Sequence, residues 1–76
     1  MNKQVKTLQS IVKNLTKEQD RLNAVIDTYD EQRDNLSYAD LLSEHGEKLT
    51  EFIDMLAQAE NDLSGVVAFI KKALKL

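Results

Sequence analysis

Leu42, Leu49, Leu56, Leu63 and Ile70 recur at every seventh position of this chain, and no proline interrupts the run. A seven-residue repeat returns each side chain to nearly the same side of an α-helix, whereas a half-buried strand would alternate every second residue. Phe52, Ala59, Val66 and Ala73 fill the complementary seam positions three residues beyond a leucine or isoleucine, so the second half reads as one helix with a heptad seam. The first half carries the same signature: Val5, Leu8, Val12, Leu15, Leu22, Ile26, Tyr29 and Leu36 alternate spacings of three and four, interrupted by Gln19 and Arg33.

Two such seams on one short chain pair most simply with each other. Between them, the stretch RDNLSYADLL holds the turn and cap formers Asp34, Asn35 and Ser37, and Ser37 followed three residues on by Asp40 resembles a capping box. The spacing predicts a single helical-hairpin domain over 1–76, with a helix over about 2–34, a turn at about 34–37 and a second helix over about 38–75. In that register paired residue numbers total 71, which sets Tyr29 against Leu42, Ile26 against His45, Leu22 against Leu49, Gln19 against Phe52 and Leu15 against Leu56. A heptad seam also admits slips of whole heptads, so Gly46 offers a second turn, with pairs totalling 92. That alternative leaves Val5, Leu8 and Val12 without partners in the hairpin. Glycine also weakens a helix interior by about 1 kcal/mol, so Gly46 is a candidate break even with the earlier turn.

The chain is too short for such a hairpin to be robust alone. With 76 residues and no cysteine it has no disulfide, and one histidine makes a structural zinc site implausible. Small domains without such staples rely on regular helix packing or on association. The positions flanking the seam point to association. Coiled coils usually carry charges there, but the g positions of these tracts include Ile11, Val25, Leu41, Met55 and Phe69, and the second helix adds Ile53, Val67 and Leu74 at e. The two g flanks share one side of an antiparallel hairpin. A second copy covering that side would give a homodimeric four-helix bundle; a helix of another protein is the alternative. Ile11, Val25, Leu41, Met55, Phe69, Val67 and Leu74 are therefore the candidate oligomer or partner interface.

Charge is unevenly spread although its net value is only −3. Lys3, Lys6, Lys13 and Lys17 are the only charged residues before Glu18, and Lys71, Lys72 and Lys75 the only ones after Asp62. A hairpin gathers these seven lysines at one end, as possible contacts for a polyanion such as nucleic acid or an anionic membrane. All seven lie on the solvated back of their helices, where lysine ordinarily serves solubility, and the basic tracts contain no arginine. The closing run SGVVAFIKKALKL is read accordingly as a packed helix end with a short overhang rather than a membrane anchor.

Chemistry-bearing patterns are missing. His45 stands beside Glu44 and lacks the i, i+3 or i, i+4 partner that would place two metal ligands on one helical face. Asp27, Asp30, Glu31 and Asp34 form an acidic run without the glycine-containing loop of a calcium site. No nucleophile–base set and no glycine-rich phosphate loop is present. No stretch approaches the roughly 20 apolar residues of a membrane span, and the opening MNKQVKTLQ lacks the apolar core of a secretory signal, so residence in the cytoplasm is expected. The expectation is an all-α, non-enzymatic protein–protein interaction module, an adaptor, small chaperone or inhibitor, without cofactor or metal.

Overall fold

A computed structural model describes residues 3–76 as three helices: α1 over Lys3–Asp34, α2 over Tyr38–Leu41 and α3 over Glu44–Leu74. The long helices α1 and α3 pack side by side as an antiparallel hairpin, a rod of 59 × 15 × 13 Å. There is no strand among the described residues.

The connection is more structured than a tight turn. Asn35 N–H and Leu36 N–H close the end of α1 on the carbonyls of Glu31 and Arg33. The Ser37 hydroxyl then accepts the Asp40 N–H at 3.2 Å and starts the single-turn helix α2, as the capping-box pattern implies. Ser43 starts the next helix in turn. Its hydroxyl accepts the Gly46 N–H at 3.3 Å and donates to the Asp40 carbonyl, so one side chain serves the end of α2 and the beginning of α3. Losing that cap in Ser43→Ala is expected to cost about 1 kcal/mol, read as a lower urea midpoint at fixed protein concentration.

Gly46 lies inside α3 rather than at a break. It is buried, and a Cβ at this position would collide with the carbonyl oxygens of Asp40 and Leu41. Absence of a side chain lets the first turn of α3 rest directly on the last turn of α2. The chain does interrupt its second helical tract, but at Leu42–Ser43, before the glycine.

The register differs from both sequence-based alternatives. Gln19 Nε2 donates to Glu60 Oε1 at 3.0 Å, which sets facing residue numbers at a total of 79 rather than 71 or 92. Of the heptad positions in the first tract, Val5, Val12, Leu15, Gln19, Leu22, Ile26, Tyr29, Arg33 and Leu36 are half-buried, whereas Leu8, also assigned to the seam, is exposed, and Thr16 and Asp30 join the half-buried side as the seam leans toward them. On α3 the seam is rotated. Leu49, Leu56, Leu63 and Ile70 remain in it, but their companions are Gly46, Ile53, Glu60, Val67 and Leu74, not Phe52, Ala59, Val66 and Ala73. Ile53 and Val67 are the most buried side chains, at 4% and 5% exposure. The physical reason is twofold: α2 consumes the residues that would have continued the seam, leaving Leu42 exposed, and Ile53 and Val67 fill the interhelical space better than Ala59 and Ala73.

Polar residues in the seam are paired. Arg33 reaches Asp30 at 2.9 Å on its own helix, and Gln19 and Glu60 satisfy each other across the hairpin. At one edge Tyr29 meets Phe52 edge-to-face, with ring centroids 5.0 Å apart and planes at 83°.

Candidate functional site

Rotating the α3 seam toward Ile53 and Val67 moves a second apolar row out of the hairpin. Phe52, Met55 and Ala59, then Val66, Phe69 and Ala73, follow three- and four-residue spacings down α3 with Asp62 between the two groups, and all six are exposed. Phe69 is 75% exposed and Met55 66%. The Tyr29–Phe52 contact fixes which side of the rod this row faces, because Tyr29 lies at the same edge of α1 as the row containing Ile11 and Val25. Ile11 and Val25 are exposed as well. One broad face of the hairpin therefore carries Ile11 and Val25 from α1 and the six-residue row from α3.

The opposite broad face is of another kind. The helical phase places Gln9, Thr16, Asn23 and Asp27 of α1 there, with Ala57, Asn61, Ser64 and Ala68 of α3, all small or polar. Two faces of one rod thus differ sharply in polarity, and only one has a row of large apolar side chains.

The structure separates the sequence-derived interface set into three groups. Ile11, Val25, Met55 and Phe69 lie together on the apolar face. Val67 is buried against α1 and Leu74 half-buried in the same seam, which corrects their assignment as flank residues: the α3 seam turned toward them. Leu41 belongs to α2 and lines an open groove of about 570 Å³ at the turn with Arg33, Asp34, Leu36, Glu47 and Thr50. Phe52 and Val66, assigned by the heptads to the seam, are instead part of the exposed row.

Sequence reasoning also missed an apolar tip. Tyr38 is 78% exposed and Leu42 lies beside it at the turn, both outside any seam. The available signal was Ser43 followed by Glu44 and Glu47, a helix start that excludes Leu42 from the second helix.

Electrostatically, the rod is divided along its length. Lys3, Lys6, Lys13, Lys17, Lys71, Lys72 and Lys75 are all exposed, and the antiparallel pairing brings all but Lys17, which lies at mid-rod beside Glu18, to the open half of the hairpin. The turn end, residues 25–54, holds nine acids against Arg33 and Lys48, a net of −7. Between them, Glu18 binds Arg21 at 2.9 Å and Asp62 accepts from Gln58 at 2.9 Å. No group of three or more His, Cys, Asp or Glu side chains is arranged to hold a metal ion among the described residues, and no helix there is long and apolar enough to cross a membrane.

The surface is larger than a monomer of this size ordinarily presents. Its accessible area is 6026 Å², against roughly 4700 Å² for a globular monomer of 8.7 kDa. Comparison with protein-family models, with curated proteins and with solved structures finds no match to this chain.

Proposed function

We propose that this protein is a non-enzymatic protein–protein interaction module, an adaptor, small chaperone or inhibitor, that acts through the apolar face of its hairpin and rests as a homodimeric four-helix bundle. The observation that carries this reading is the exposed row Phe52, Met55, Val66 and Phe69 beside Ile11 and Val25. Glu18 and Asp62 divide this surface at its middle, and two exposed apolar patches of that kind on a small protein mark an association surface. The thin hairpin core supports the same reading, since Ile53 and Val67 alone are buried apolar side chains among the described residues. A second layer of helices would supply what the first lacks.

A pull-down comparing the wild type with Met55→Glu/Phe69→Glu and with Lys71→Ala/Lys72→Ala/Lys75→Ala tests the reading. Proteins retained by the wild type and the lysine variant but lost with the glutamate variant support it. Retention that ignores the glutamate changes contradicts it. A second reading, favoured by the convergence of six exposed lysines in the open half of the hairpin, is polyanion binding at the open end. It requires binding to duplex DNA or phosphatidylserine vesicles that weakens steeply with salt and is lost in the lysine variant.

A further inference from the structure

Resting on the self-association just proposed, we infer that the second copy lies antiparallel to the first, so that the lysine end of each protomer covers the acidic turn end of its partner.

The apolar residues allow this arrangement but do not select it. Ile11 and Val25 stand seven residues on either side of Glu18, and Met55 and Phe69 seven on either side of Asp62. Glu18 and Asp62 lie at nearly the same level of the rod, given the register set by Gln19 and Glu60. A two-fold axis crossing the rod at that level would set α1 against α1 and α3 against α3, with Met55 of one protomer level with Phe69 of the other. A parallel dimer, with its axis along the rod, would place Met55 opposite Val25 and Phe69 opposite Ile11. Both bury the same apolar side chains.

Charge separates the two. The parallel dimer collects ten lysines at one end, from 3–11 and 69–76, and eighteen acids at the other, twice the complement of one chain. At the facing levels the antiparallel dimer sets Lys3, Lys6, Lys71, Lys72 and Lys75 of one copy, +5, against the −7 of residues 25–54 of the other, at both ends. Only one of these arrangements turns the bipolar pattern into attraction.

A second observation points the same way. Helix α1 is charged against its own dipole: Lys3 and Lys6 occupy the N-terminal turns, where the first turn has no acid, while Asp30, Glu31 and Asp34 crowd its C-terminal end. Each such charge opposes the dipole of the helix that carries it. Helix α3 is charged in the favourable sense, with Glu44 and Glu47 in its first turn and Lys71 and Lys72 in its last. Hairpin formation makes this worse, since it brings the acids of both helices to one end and the lysines to the other. Dipole complementarity therefore explains the ends of α3, while at the ends of α1 only Asp30 has an ion-pair partner, Arg33. An antiparallel partner adds opposite charge at both ends.

The face is large enough. A footprint within 59 × 15 Å accommodates the about 800 Å² per partner of a standard stable interface.

Spin-label distances decide the orientation, and the absence of cysteine makes single labelled sites simple to engineer. His45→Cys and Leu76→Cys lie near opposite ends of the rod and outside the apolar row. The antiparallel dimer predicts label separations of roughly 50 and 40 Å respectively, from 1.5 Å per residue measured to the central level. A dimer with both separations under about 30 Å, set by helix diameters of about 10 Å, overturns the inference while leaving self-association standing. A monomer with no dipolar coupling removes both. Charge reversal gives an independent sign: Lys71→Glu/Lys72→Glu/Lys75→Glu should weaken the dimer roughly tenfold at low salt, with the difference shrinking as salt rises. Tighter dimerisation of that variant would indicate the parallel arrangement and contradict the inference.

Discussion

Met55→Glu combined with Phe69→Glu is expected to turn the proposed dimer into a monomer over the micromolar range. Both side chains are exposed in the single hairpin, at 66% and 75%, so the change leaves the α1–α3 seam intact. Glutamate is a good helix former, so α3 itself tolerates it. The effect therefore falls on whatever covers the face. Fully burying a large apolar side chain is worth about 1.5–3 kcal/mol, and the double change acts twice in a symmetric dimer. At about 1.4 kcal/mol per tenfold, the dissociation constant should rise by more than about a thousandfold. Because the hairpin core is thin, the monomer should also unfold at a lower temperature. An unchanged mass in solution would place the interface elsewhere on the molecule.

Gly46→Ala and Gly65→Ala are expected to shift stability in opposite directions. Both glycines are inside α3, and helix propensity alone favours alanine at each by about 1 kcal/mol. At Gly65 nothing lies within 4 Å of an added Cβ, so the propensity gain should appear as a raised urea midpoint. At Gly46 the Cβ would meet the backbone carbonyls of Asp40 and Leu41, which have no flexible end to move aside. Here α2 must lift from α3, which also disturbs the Ser43 cap. A net loss of about 1–3 kcal/mol follows, a large fraction of the about 3–5 kcal/mol such a small domain commands. The two variants must be compared at equal protein concentration, because the proposed self-association would contribute to apparent stability. A stabilised Gly46→Ala would mean that the close approach of α2 to α3 is not retained in solution.

The hairpin was legible because a seven-residue repeat has one simple structural meaning. Along α1 it also gave the right face except at Leu8, which is exposed, since Val5, Val12, Leu15, Leu22 and Ile26 have no apolar competitor row of comparable strength. Helix α3 defeated the same reasoning. Leu49, Leu56, Leu63 and Ile70 can share a seam with Ile53 and Val67 on one side or with Phe52 and Val66 on the other, and periodicity does not choose between them. The choice is made by the connection and by packing. Serine capping at Ser37 and again at Ser43 inserts a helical turn, removes Leu42 from the seam and shifts the register to the one held by Gln19 and Glu60. The role of Gly46 was likewise hidden, because close approach to Asp40 and Leu41 depends on a tertiary contact that a local pattern does not carry.

That rotation has a direct consequence for the candidate site. Val67 and Leu74, read from sequence as available to a partner, are used within the chain. Phe52 and Val66, read as core, are released to the surface. The apolar face therefore keeps its position on the rod but changes part of its membership, and Ile11, Val25, Met55 and Phe69 are common to both descriptions.

The central claim is that this face is covered by a second copy. Solution mass by multi-angle light scattering, across a concentration series and at two salt levels, tests it most directly. A species of twice the 8.7 kDa chain mass is expected, persisting to low concentration and dissociating more readily at high salt. A folded, helical species of single-chain mass at every concentration would contradict it, and would mean that the face is kept for a different protein.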